Sequence, residues 1–169
     1  MSEFDYDPNN WKLLPENHPI VLNRCSEWTF GQEEHDPIEL AKNLVKFMYD
    51  KNGLCLGANQ VGIPKRVFAM RGYPENFVCF NPKIVMPSES QVVLEETSLT
   101  YPKLIVKIKR PRDIRVRFQT PNGEIRTETF TGMTARTFQH ALDHIDGTRF
   151  FNNANSYHKN QAMKRRKKK

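Results

Sequence analysis

The stretch Thr134-Ala-Arg-Thr-Phe-Gln-His-Ala-Leu-Asp-His-Ile-Asp-Gly147 decides how this chain is read. Phe138, Leu142 and Ile145 recur at helical spacing, so residues 134–145 form a helix with one apolar face. Asp146-Gly147 stops it. His140 and His144 stand four apart. With 3.6 residues per turn, both imidazoles leave one face of the helix, one turn apart. Such a pair can reach one metal ion at about 2.0–2.1 Å. It can equally be two helix histidines bonded to backbone or to carboxylates.

Upstream of Gly132 the texture is that of strands. Ile114–Phe118 and the polar run Ile125–Phe130 flank Pro121-Asn122-Gly123, which reads as a hairpin. Further strands are expected at Val67–Met70, Val78–Phe80, Ile84–Val85 and Leu104–Lys109. Before them, Asp36 caps a helix with Pro37 at its first position and Glu39 at capping-box spacing. Leu40, Leu44, Phe47 and Met48 form its apolar stripe, and Asn52-Gly53 ends it. Residues 1–36 read as an extended N-terminal arm, with a short strand at Ile20–Leu22. Residues 37–155 form the domain, and 156–169 a basic C-terminal tail.

Composition sets the outer limits. The chain has 169 residues, 38% hydrophobic and 27% charged, which suits one soluble domain. No apolar run approaches the 20 or so residues of a membrane span. The acidic N-terminus lacks a basic n-region and an apolar core, so no secretory signal is expected. Cys25, Cys55 and Cys79 are odd in number and form no CxxC pair, which favours a reducing, cytoplasmic setting over a disulfide scaffold. The net charge is +7, but Lys164–Lys169 hold six of the 26 basic residues. Without them, 20 basic residues face 19 acidic ones. Such a run repels itself, so it is expected to be disordered in the free protein. It either keeps the protein soluble or meets RNA phosphates or another acidic surface.

Gln139-His140-Ala141-Leu142-Asp143-His144-Ile145-Asp146-Gly147 resembles the Q-H-E-x-D-H-x-x-G signature of the peptide deformylases. Gly53-Leu54-Cys55-Leu56-Gly57-Ala58-Asn59-Gln60 resembles their G-x-G-L-A-A-x-Q. Glu96-Thr97-Ser98-Leu99-Thr100 with Pro102 resembles E-G-C-L-S-x-P, and Asn81-Pro82-Lys83-Ile84 resembles N-P-x-I. The resemblance runs from about residue 36 to 150 in family order. It implies an α+β fold of antiparallel sheets around a central helix carrying His140 and His144. It also implies a site where iron or zinc, held by two histidines and a cysteine, activates a water that removes the formyl group from N-formylmethionyl peptides near the ribosome. His140 and His144 match the histidine ligands. Gln60 matches the oxyanion glutamine, and Leu99 the residue whose N–H completes that hole.

Two departures weigh against turnover. Ala141 stands where the family has its proton-carrying glutamate, and a methyl group moves no proton. General acid–base catalysis is worth about 10²–10⁴ in rate. Asp143, about 200° round the helix from Ala141, does not replace it. Ser98 stands where the cysteine ligand belongs, and a neutral hydroxyl is a poor partner for zinc or ferrous iron. The metal set Ser98, His140 and His144 is therefore expected to bind zinc or iron weakly or not at all. The resulting expectation is a catalytically inactive deformylase-like protein with a structural or binding role, for example within a larger assembly such as a virus particle. In that role the arm and tail would contact protein or RNA partners. The alternative is a working metal-dependent deformylase that binds formyl-Met peptides.

Overall fold

The structure, a computed structural model, describes residues 3–169. After a 3-10 turn at Pro8–Asn10 come two helices, α1 (Pro19–Leu22) and α2 (Pro37–Asp50). Seven strands follow: β1 (Cys55–Gly57), β2 (Val67–Met70), β3 (Phe77–Pro87), β4 (Gln91–Ser98), β5 (Tyr101–Pro111), β6 (Asp113–Gln119) and β7 (Ile125–Thr131). Then come α3 (Gly132–Ile145) and α4 (Ser156–Lys168). Two further 3-10 turns lie at Ala58–Val61 and Phe150–Asn153. One antiparallel sheet has the order β1-β2-β3-β6-β7, and β4–β5 form a separate antiparallel hairpin. The fold is α+β, as expected.

Strand β2 shows why the helices sit where they do. All four of its residues are buried, which a strand tolerates only when both sheet faces are covered. Alternation sends Val67 and Ala69 to a core shared with Leu40, Leu44, Phe47 and Met48 of α2. It sends Phe68 and Met70 to a core shared with Phe138, Ala141 and Ile145 of α3. The first sheet is thus clamped between α2 and α3. A third core joins Leu104, Val106 and Ile108 of β5 to Phe150, Phe151 and Ala162. Phe138 and Ile145 are fully buried, whereas Leu142 is only half-buried at the edge of its core.

Several expectations need correction. Ile20–Leu22 lies in a short helix, not a strand: Pro19 presets the first helical position and His18 Nδ1 accepts the Ile20 N–H at 3.1 Å. The segments around Asn81-Pro82 belong to one strand with shifts in its pairing, and Asn81 takes up a φ of 51°. Within residues 3–36, Trp11 and Trp28 are buried in the α2 core. The tail is helical through Lys168. Asn155 Oδ1 caps it by accepting the His158 N–H at 2.8 Å, and Ala162 anchors it on β5. Arg166 forms a bidentate pair with Glu16 at 2.5 and 3.2 Å. The remaining cations crowd the last turn, where the helix dipole favours them.

Candidate functional site

Helix α3 divides its residues between two jobs. Ala135, Phe138, Ala141 and Ile145 enter the sheet core, while Arg136, His140 and His144, at successive i, i+4 positions, form a stripe towards the β4–β5 hairpin. A cavity of about 200 Å³ separates that stripe from the hairpin. Gln60, Ser98, Leu99, His140 and His144 all line it. The structure therefore brings these five sequence-selected residues together. Ala141 does not line it: it is fully buried in the α3 core.

Each polar side chain is held in place. The Ala58–Val61 turn fixes Gln60, whose Oε1 accepts the Gly57 N–H at 2.8 Å and whose Nε2 donates to Thr100 Oγ1 at 2.9 Å. Asn59 Nδ2 donates to the His144 carbonyl at 2.7 Å and ties α3 to the same turn. Glu96 and Ser98, two apart on β4, both line the cavity, and the pairing register shifts between them. Leu99 packs against Gly53, leaving no room there for a Cβ, which would lie 2.7 Å from Leu99 Cδ1.

Behind the imidazoles lies a buried charge network. Glu96 Oε1 meets His140 Nδ1 at 2.8 Å and Arg110 Nη2 at 2.9 Å. Its Oε2 meets Arg110 Nε at 2.6 Å and Arg136 Nη1 at 2.7 Å. Burial alone would raise the Glu96 carboxyl, but hydrogen bonds from His140 and Arg110 outweigh it and bring the pKa down to about 2. The carboxylate therefore only accepts, which assigns the His140 proton to Nδ1 and leaves Nε2 facing the cavity. His144 is held neutral by burial first and then by neighbouring His140 and Arg110. Asp143 pairs with Arg110 at 2.8 Å and accepts from Asn153 at 2.9 Å. Burial outweighs the arginine and raises Asp143 to about 6. It is a supporting group of the network.

Sequence reading missed Glu96, Arg110 and Arg136 as a unit. One readable signal existed: Leu104, Val106, Ile108 and Arg110 fall on the same buried face of β5, and a charge in that row demands a buried partner.

His144 Nε2 lies 3.2 Å from His140 Nε2 and 2.9 Å from Ser98 Oγ, and Ser98 Oγ accepts the Thr100 N–H at 3.2 Å. Two ligands bonded at about 2.1 Å in tetrahedral array stand about 3.4 Å apart, so the imidazole spacing suits one ion. The donor chemistry does not. The third donor is a neutral hydroxyl, and no group of three His, Cys, Asp or Glu side chains converges among the described residues. Cys55 lines the cavity too, with burial pushing its thiol up to about 12, but it does not converge with the two imidazoles into a three-donor group. The residues present do not fit a tightly held zinc or iron.

Two imidazoles of α3 thus face a cleft bordered by the β4–β5 hairpin and the Ala58–Val61 turn. Residues 11–160 match the family model described as polypeptide deformylase. The peptide deformylase of Wolbachia pipientis wMel is 34% identical over 162 residues, covering 88% of this chain and 89% of that protein. The Thermotoga neapolitana enzyme is 36% identical over 130 residues, covering 76% and 77%. The Plasmodium falciparum peptide deformylase structure superposes with a TM-score of 0.83 at 26% identity, covering 93% of this chain and 94% of that one. The chain belongs to the peptide deformylase family. Among the described residues, no helix is long and apolar enough to cross a membrane.

Proposed function

We propose that this chain retains the deformylase fold as a binding or structural module and does not turn over formylated peptides. The observation that carries this reading is Ala141. Its methyl group is fully buried in the α3 core at the position of the family's proton carrier. Neither nearby carboxylate of the network is free to serve instead. Glu96 is held by two arginines and His140, and Asp143 by Arg110 and Asn153. Ser98 in place of a thiolate supports weak or absent zinc or iron.

In this reading Gln60 and Leu99, which line the cavity, are the residues that meet a peptide carbonyl. Outward-facing cations on α4, among them Lys164, Arg165, Lys167 and Lys168, offer an assembly contact to an acidic protein or RNA surface.

A second reading, a working metal-dependent deformylase, is favoured by two findings. The curated relatives at 34–36% identity are peptide deformylases, and exposed Glu95 lines the cavity as another carboxylate. Titrating the full chain with a formyl-Met-Ala peptide while assaying formate separates the two. The module reading expects saturable binding with formate at background. Formate released in step with peptide consumed establishes the second reading.

A further inference from the structure

The molecule has a second concavity, between the outward face of the hairpin and the segment that leads into α4, that neither the deformylase cleft nor the family motifs use. It is a groove of about 400 Å³. Its walls are Gln91 and Val93 of β4, Lys107 and Lys109 of β5, and the segment leading into α4 with His158.

Strand geometry creates its charge. Along β5, Val106, Ile108 and Arg110 are buried, so Lys107 and Lys109 both face out on the same side. Two residues of strand set their Cα atoms about 6.7 Å apart, so the two flexible ammonium groups can converge on one multiply charged group. Among the described residues neither lysine has a carboxylate within ion-pair distance. Glu95 pairs with Lys107 in the hairpin register but lines the other cavity, and Val93 is the residue opposite Lys109. No acidic residue lines the groove. Asn155 has its Oδ1 committed to the His158 N–H, which leaves its amide N–H groups as donors.

We propose that this groove is a binding site for a small polyphosphate: a diphosphate group, either free or carried by a nucleotide. Two unpaired ammonium groups select a multiply charged anion over a singly charged one. A recess of this volume is the size of a small-molecule site and encloses a compact phosphate chain. The proposal stands apart from the peptide cleft and does not depend on whether that cleft is active.

The test is an amide-shift NMR titration of the full chain with inorganic pyrophosphate, with ADP and orthophosphate in parallel. Saturable shifts are expected at Val93, Lys107, Lys109, Ala154 and His158, with pyrophosphate about tenfold tighter than orthophosphate. ADP weaker than pyrophosphate identifies the free diphosphate as the ligand, and ADP tighter identifies a nucleotide. Lys107→Gln with Lys109→Gln should weaken pyrophosphate at least about tenfold, while Lys83→Gln, on the exposed side of β3, leaves it unchanged. The proposal is overturned by shifts that do not saturate by about 10 mM, or by shifts confined to Lys164–Lys169. Unchanged affinity in the double variant also overturns it.

Discussion

Replacing Glu96 by Gln removes the anion shared by the buried guanidinium groups of Arg110 and Arg136, leaving Asp143 to Arg110 alone, while keeping the side chain's shape. The side chain is 4% exposed, so solvent does little to screen the change. The carboxyl falls from 4.5 to about 2 on folding, which at 1.36 kcal/mol per tenfold amounts to about 3 kcal/mol in favour of the ionised native state. Removing one partner of a buried charge network independently suggests about 3–5 kcal/mol. Glu96→Gln should therefore lower stability at pH 7 by about 3 kcal/mol, read as a lower midpoint in urea unfolding at unchanged slope. The sign of the pH effect follows from the depressed pKa. The contribution is fully present above pH 4.5 and is lost as the pH falls towards 2. The gap between the parent and the variant should narrow through that window. Asp143, raised to about 6 chiefly by burial, acts in the opposite direction; part of that rise comes from Glu96, so the gap is read below pH 4.5, where Asp143 is already largely protonated. A loss below about 1 kcal/mol at pH 7, or a gap that stays constant down to pH 2.5, would refute the network as a stabilising unit.

Three further outcomes are expected. Ser98→Cys should raise zinc occupancy after purification, measured by elemental analysis, because a thiolate then joins His140 and His144 as the third donor. Ala141→Glu alone should recover little formate release, whereas Ala141→Glu with Ser98→Cys should exceed the sum of the single variants, since proton carrier and metal act as one unit. Arg166→Ala should cost less than about 1 kcal/mol in global unfolding, as suits a partly exposed pair, yet speed hydrogen exchange in the last turns of α4.

What the sequence made legible depended on how local the cause was. Helix α3 was readable because its core stripe and its histidine stripe both repeat at helical spacing within fourteen residues. Gln60, Ser98, Leu99, His140 and His144 were readable as a set through their motifs, and the fold brings them to one cavity. Strand β4 was not readable. Val93, Leu94 and Glu95 are all exposed, so its residues break the alternation that marks a strand. The order of α4 was missed for a different reason. Its composition is almost wholly polar, and what holds it is Ala162 on β5 and Glu16, 150 residues away from Arg166. The role of Glu96 was hidden likewise, because its partners Arg110 and Arg136 come from two other elements.

The proposed module needs Ala141 and Ser98 to leave the cleft able to bind and unable to turn over. The most direct measurement is formate release from formyl-Met-Ala peptide by the unmodified chain, assayed without added metal and after loading with zinc or ferrous iron, with bound metal quantified in the same samples. Less than one metal per chain is expected, with turnover at least about 10²–10⁴ below a glutamate-bearing relative in every sample. One tightly held metal per chain with robust, chelator-sensitive formate release would contradict it.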